Sequence, residues 1–234
     1  MNILEIKDIK KSFNEKVVLD GVSFTIKSGK IVGLLGKNGS GKSTIIKLVN
    51  DLLTVDSGEI KVLGNKVGVE SKNAISYLPE RNHLDVSKKV KDIIKFYSEF
   101  YSDFDVERAE KLLQDLSLDK EMPLKKMSKG MREKVLLVLV MSRRAKLYVL
   151  DEPLGGVDPS TREYILKTIL SNFDENSSLL ITTHLVSDVE NVLDEVIIID
   201  EGKVLLFEEA DALREKENLS INEVFKRRVK WLNI

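Results

Sequence analysis

Gly36-Lys37-Asn38-Gly39-Ser40-Gly41-Lys42-Ser43-Thr44 decides how the rest of this chain is read. It matches G-x-x-x-x-G-K-[ST], and the spacing has a chemical reason. Glycines let consecutive backbone N–H groups turn inward and form a cradle for phosphate oxygens. Lys42 can then reach the β- and γ-phosphates of a nucleotide, and the Ser43 hydroxyl can ligate Mg²⁺. The flanks agree. Ile31-Val32-Gly33-Leu34-Leu35 is a short apolar run of the kind that buried parallel strands use. Beyond Ser43, Ile45, Ile46, Leu48, Val49 and Leu52 recur at helical spacing, so the loop ends on a helix N-terminus, which favours anions. A glycine-rich turn needs neither that strand nor that helix; a nucleoside triphosphate site needs both.

Composition narrows the class. The 234 residues are 42% hydrophobic and 32% charged, ordinary for a globular protein with a real core. A formal net charge of -1 implies no general attraction to nucleic acid or anionic lipid. With no cysteine there is no disulfide and no thiolate metal site, which fits a reducing compartment. Two histidines and no cysteine exclude a histidine–cysteine zinc site. The N-terminus has no basic region followed by an apolar stretch, so no signal peptide is expected. The longest apolar run, Val135–Met141, is far short of the roughly 20 residues that span a bilayer. A soluble, cytoplasmic protein is expected.

Along the chain, Leu4–Lys7 and Val22–Ile26 alternate like strands of an antiparallel sheet, with a polar turn expected over Lys11–Lys16. Glu59–Leu63 and Ala74–Leu78 read as further strands. From Ser87 to Leu118 the pattern is helical, with Val90, Ile93, Ile94, Tyr97 and Phe100 on one face. The aromatics Phe96, Tyr97, Phe100, Tyr101 and Phe104 crowd into this stretch. Met127–Arg144 reads as a buried helix with Ser128 as its N-cap. Leu147–Leu150 and Leu179–Thr183 are apolar strands; Glu195–Ile199 and Lys203–Phe207 flank a hairpin turn; Ala210–Lys230 is charged and helical in pattern. One α/β domain over residues 1–234 is expected, with a helical lobe inserted at about 81–145.

Several residues outside the loop stand where chemistry could use them. Asp151 and Glu152 end an apolar strand; in a protein with such a loop the first acid can hold Mg²⁺ through water and the second can orient an attacking water. Two solvated carboxylates at a strand end would read the same, so their weight comes from the upstream loop. His184 ends another apolar strand, at the edge where parallel sheets bind ligands. Phe13 is either a minor core residue or a flat platform for a purine ring. Ser128-Lys129-Gly130 caps its helix, and can also make a second anion site.

Taken in order, these stretches resemble the nucleotide-binding subunit of an ATP-binding-cassette transporter over essentially the whole chain. Gly36–Thr44 matches the family's Walker A motif and Leu147–Glu152 its Walker B motif, with Glu152 where the catalytic glutamate stands. Met127–Met131 matches the signature motif, Leu154–Asp158 the D-loop, His184 the switch histidine and Phe13 the adenine-stacking aromatic. Ser128-Lys129-Gly130-Met131 departs from the commonest Ser-Gly-Gly-Gln, Glu80 replaces the Q-loop glutamine, and Gly-Gly-Val-Asp replaces Ser-Ala-Leu-Asp. The first two departures resemble a bacterial exporter-type, YtrB-like branch.

The resemblance implies a P-loop NTPase (RecA-like) core with an N-terminal antiparallel β-subdomain and an inserted α-helical subdomain. It implies an ATPase with ATP and Mg²⁺ as cofactors, the ion near Ser43, Asp151 and Glu80. Two chains, identical or related, would pair, with Ser128 and Gly130 of one covering ATP on the other. A separate permease would hold the pair at the inner face of the cell membrane, and no nucleic-acid partner is expected. Part of the Phe96–Phe104 cluster would meet that permease, with Tyr97 and Tyr101, whose tips are polar, the better interface residues; for Phe96 and Phe100 a place in the helical lobe's own core is at least as strong a reading. A small-molecule kinase would share the loop but need neither Ser128-Lys129-Gly130 nor a strand-end His184. A cassette acting on DNA or the ribosome would need a basic surface, a coiled-coil insertion or a second cassette.

Overall fold

Alternation continues further along the N-terminal strands than expected. In the computed structural model, which describes residues 1–155, 158–171, 173 and 176–229, β1 (Asn2–Phe13) and β2 (Lys16–Lys27) pair antiparallel, with Phe13 opposite Lys16. The polar turn is therefore only Asn14-Glu15, and Phe13 is the last residue of a strand. Asn14 takes φ 53°, which asparagine tolerates, and so closes a two-residue hairpin.

β3 (Ile31–Leu35) leads through the glycine loop into α1 (Lys42–Val49). β4 (Ser57–Val62) and β5 (Asn65–Lys66) complete a four-stranded antiparallel sheet ordered β2-β1-β4-β5. α2 (Val69–Ala74) precedes β6 (Ile75–Leu78), and then come α3 (Val90–Phe100), α4 (Val106–Asp115) and α5 (Lys129–Met141). The helical pattern over 87–118 thus resolves into two helices. Asp105 ends the break by accepting from the Arg108 N–H at 3.0 Å. Ser128 caps α5, accepting from the Met131 N–H at 3.2 Å, and Val135–Met141 are all buried.

β7 (Leu147–Asp151), α6 (Pro159–Ser171), β8 (Ser178–Thr183), α7 (Val186–Val189), β9 (Glu195–Asp200) and β10 (Lys203–Glu209) follow. The second sheet is ordered β10-β9-β3-β8-β7-β6, and only the β9–β10 pair is antiparallel. The C-terminal pattern is two helices, α8 (Ala210–Glu217) and α9 (Ile221–Arg228), divided where Asn218 takes φ 51°. Lys230 lies outside the described residues.

Side-chain alternation divides the core between the two faces of this sheet. Val32, Leu34, Leu147, Val149, Leu180, Ile197 and Ile199 point towards α1 and the antiparallel sheet. Ile31, Leu35, Tyr148, Leu150, Leu179, Ile181, Val196 and Ile198 point towards the helices on the other face. A strand buried on both faces needs continuous apolar sequence, which is what its parallel neighbours carry. Buried Arg143, just past α5, ties the helices to the sheet. It donates to Asp103 at 3.0 and 3.1 Å, to the Ile75 carbonyl at 2.5 Å and to the Asn73 carbonyl at 2.7 Å. Its guanidinium also lies 3.9 Å from the Tyr101 ring centroid.

Candidate functional site

Parallel strands deliver their C-terminal ends to one edge of the sheet, and at this edge the loop at Gly36–Thr44 meets Asp151, Glu152 and His184. The loop after β3 curls around the Lys42 ammonium, which donates to the carbonyls of Gly36 at 2.7 Å and Lys37 at 3.2 Å. Gly41 takes φ 110°, and a Cβ there would stand 2.7 Å from Leu19 Cδ2, so only glycine closes the loop onto α1. No side chain caps α1, which leaves its first N–H groups for an anion. Ser40 Oγ is buried without a hydrogen-bond partner among the described residues.

Asn38, Gly39, Gly41, Lys42, Ser43 and Thr44 line one wall of a cleft of about 750 Å³. Gly36, Lys37 and Ser40 shape the loop from behind; the Lys37 ammonium turns away to pair with Asp200 at 3.1 Å. At the cleft's other end Phe13 is 43% exposed, with the Lys11 ammonium 5.5 Å from its ring centroid. That exposure removes the core reading of Phe13 and leaves the platform reading open.

The third wall is acidic. The Glu152 carboxylate bridges Lys42 Nζ at 3.5 Å and His184 Nδ1 at 2.9 Å. Glu152 holds φ 50°, an uncommon backbone for a non-glycine residue; its N–H donates to Thr182 Oγ1 at 3.0 Å and to the Thr182 carbonyl at 3.1 Å. Asp151 accepts from the Thr182 hydroxyl at 2.6 Å and the Ser43 hydroxyl at 3.4 Å. Burial pushes the Asp151 carboxyl up, against the Thr182 hydrogen bond, and the charges of Glu80 and Glu152 push it further. The Tyr77 phenol, on β6, is pushed up to about 12 by burial and by the charges of Asp151 and Glu80. Thr182 and Tyr77 escaped the sequence reading: a threonine inside an apolar strand carries no distinguishing pattern.

A hydroxyl and a buried carboxylate this close suit one hard cation with oxygen ligands. Among the described residues no three His, Cys, Asp or Glu side chains gather as a metal cage, so remaining positions would fall to phosphate oxygens and water. Exposed Glu80 lines the same cleft. Ser128 and Gly130 line neither this cleft nor its neighbour of about 550 Å³, where Lys129 and Arg132 stand across from Glu152 and His184. Of the stretch 154–158, Gly156 and Val157 lie outside the described residues; Asp158 accepts from the Thr161 N–H at 3.0 Å and hydroxyl at 2.7 Å, capping α6.

Residues 19–155 match the family described as ABC transporter. The chain is 30% identical over 217 residues to the ABC transporter ATP-binding protein YtrB of Bacillus subtilis (strain 168), covering 92% of this chain and 74% of that protein. It is 29% identical to the Nod factor export ATP-binding protein I of Rhizobium sp. (strain N33), covering 95% and 76%. A solved structure, "Structure of ATP binding subunit of ABC transporter", superposes with a TM-score of 0.89 at 27% identity, over 97% of this chain and 100% of that one. The chain belongs to the ABC transporter family. Within it, this is an ATP-binding subunit, an ATPase coupled to transport. These similarities support that reading rather than a kinase or a cassette acting on DNA or the ribosome. Among the described residues no helix is long and apolar enough to cross a membrane.

Proposed function

We propose that this chain binds MgATP in the cleft above the parallel sheet and hydrolyses it to drive export through a separate permease. The observation that carries the proposal is the Glu152 carboxylate bridging Lys42 and His184, three motifs brought to one point. Phosphates entering the cradle draw the Lys42 ammonium away from the Gly36 and Lys37 carbonyls and from Glu152. Glu152, freed and flanked by His184, then orients a water towards the γ-phosphorus and accepts its proton as the bond to the β-γ bridging oxygen breaks. ADP and phosphate leave. Catalysis is positioning plus charge neutralisation. Ser43, Asp151 and Glu80 are the residues that would hold Mg²⁺, which neutralises phosphate charge when bound. Phe13 stacks on adenine.

Ser128 and Gly130 act on the ATP of a second chain, which fits their absence from the lining of their own chain's cleft. The whole chain works as one cassette domain, with the helices of residues 81–145 as its inserted lobe. The permease holds it at the inner membrane face, in keeping with the export for which the Nod factor relative is named. Lys42→Ala is the direct test. Loss of a charge-assisted phosphate contact should weaken ATP binding by roughly 10- to 100-fold and abolish hydrolysis. A variant turning over at the wild-type rate would remove the assignment.

A further inference from the structure

The Phe13 end of the cleft carries a charge that the proposed chemistry leaves unused. β9 and β10 are joined by Glu201-Gly202, with φ of 47° and 74°, between the paired residues Asp200 and Lys203. Both central residues are left-handed, the two-residue hairpin geometry that matches strand twist. Two hydrogen bonds and one close backbone approach hold this tip. The Gly202 N–H donates to the Ser40 carbonyl at 3.1 Å, and the Gly202 carbonyl accepts from the Asp20 N–H at 3.0 Å. A Cβ at Gly202 would stand 2.3 Å from the Val18 carbonyl oxygen. The tip is therefore wedged between the phosphate loop and β2.

Glu201 projects from that tip and lines the same cleft as Phe13, Val18 and Gly41. Its N–H donates to Asp200 Oδ1 at 3.1 Å, while no cationic side chain among the described residues pairs with its carboxylate. On one side of the tip is the loop that cradles phosphates. On the other is Val18, two residues from Lys16, the strand partner of Phe13. In a nucleoside triphosphate the group between phosphates and base is the ribose. A carboxylate is acceptor-only with two oxygens, and the ribose offers two neighbouring hydroxyl donors. Hydrogen bonds to an ionised acceptor are the stronger kind, and dinucleotide-binding sheets use an acid on ribose in this way.

We propose that the Glu201 carboxylate accepts hydrogen bonds from the ribose hydroxyls of the bound nucleotide and makes this cleft selective for ribonucleotides over deoxyribonucleotides. This rests on the nucleotide site proposed above. A carboxylate near a polyphosphate repels it, so Glu201 helps binding only when those hydroxyls are present. Removing it therefore has opposite effects on two ligands that differ by one oxygen.

The test is calorimetric titration of wild type, Glu201→Gly and Glu201→Gln with ATP, 2′-deoxyATP, 3′-deoxyATP and purine riboside triphosphate, which lacks the 6-amino group. Glycine suits the left-handed turn and glutamine keeps the side chain's size, so thermal melts of both should overlay wild type. Wild type should prefer ATP to 2′-deoxyATP by about tenfold or more. In Glu201→Gly that ratio should fall to within about twofold, as ATP weakens and 2′-deoxyATP tightens. An unchanged ratio, or a wild type with no preference, overturns the proposal and leaves the triphosphate site standing. Sensitivity to the 6-amino group instead of the hydroxyls overturns it too, because Glu201 would then read the base. Failure of wild type to bind ATP at all overturns both this proposal and the site beneath it.

Discussion

Asp151 and Glu195 are acids at opposite ends of parallel strands, and burial pushes both carboxyl groups above the usual range. Asp151 has hydroxyl donors from Thr182 and Ser43. Glu195, at the start of β9, is 8% exposed, and its Oε2 has no hydrogen-bond partner among the described residues. Lys30 and Lys27 favour its charge, while Glu209 and Asp194 oppose it. A raised carboxyl pKa means that the fold prefers the neutral acid. The resulting cost is therefore present at neutral pH and relieved as pH falls through the folded pKa towards the unfolded value of about 4.3. Glu195→Gln should stabilise the chain at pH ~8 by on the order of 1 kcal/mol, a rise of roughly 2–4 °C in Tm. That gain should vanish near pH ~4, below the unfolded value. ATPase activity should not change, since Glu195 is remote from the cleft. Melts of the two proteins that coincide across this range would mean that the buried carboxylate is satisfied after all.

At the level of the element, α3 turns its aromatics the opposite way from the sequence expectation. Phe96 and Phe100 are 60% and 67% exposed and stack with centroids 5.9 Å apart, whereas Tyr97 and Tyr101 are half-buried. Tyr97 packs on Tyr101 at 5.6 Å and Phe104 at 5.8 Å, and Arg143 covers Tyr101. The guanidinium gives a tyrosine face a partner inside the lobe, which leaves the phenylalanines outside. Beside Phe96 an apolar cleft of about 480 Å³ is lined by Leu84, Ile93 and Tyr97. Exposed rings next to an apolar cleft are a mark of interaction surfaces, so we propose that Phe96 and Phe100, rather than Tyr97 and Tyr101, would meet the permease. Cysteines at 96 and 100 should crosslink to the permease, while cysteine at 97 should not. Crosslinking from 97 alone would restore the original assignment.

For the whole molecule the proposed function requires two chains to pair. If Glu152 orients water, Glu152→Gln should bind MgATP and fail to hydrolyse it, because the amide is isosteric and removes negative charge beside the γ-phosphate. The bound ATP should then persist between the Gly36–Thr44 loop of one chain and Ser128-Lys129-Gly130 of another. This variant should run as a monomer without nucleotide or with ADP, and shift to a dimer with ATP. Ser128→Arg in the same chain should block the shift by placing bulk at the exposed cap of α5. Size-exclusion chromatography with light scattering, repeated with the permease present, measures both. An elution volume indifferent to ATP in both settings would leave the nucleotide cleft and remove the sandwich.

Short-range chemistry was legible in the sequence alone. The strand–loop–helix around Gly36–Thr44, the Ser128 cap and the apolar strands before Asp151 and His184 all follow from periodicity and local hydrogen bonding, which depend on neighbours a few residues away. Breaks at Tyr101–Asp105 and Asn218 were harder, because a helix pattern continues across a gap that only a cap or a left-handed residue reveals. Tertiary structure decided what long-range packing decides. Residues 42, 152 and 184 meet only because β3, β8 and β7 are adjacent and end on the same edge. The support that Thr182 gives to Asp151 and Glu152 depends on the β7–β8 register, which pairs Asp151 with Thr182. Which rings of α3 face water depended on Arg143, more than 40 residues away in the chain and brought beneath Tyr101 by the fold. A local pattern states which face of an element is apolar; what lies against that face is set by the partner it packs on.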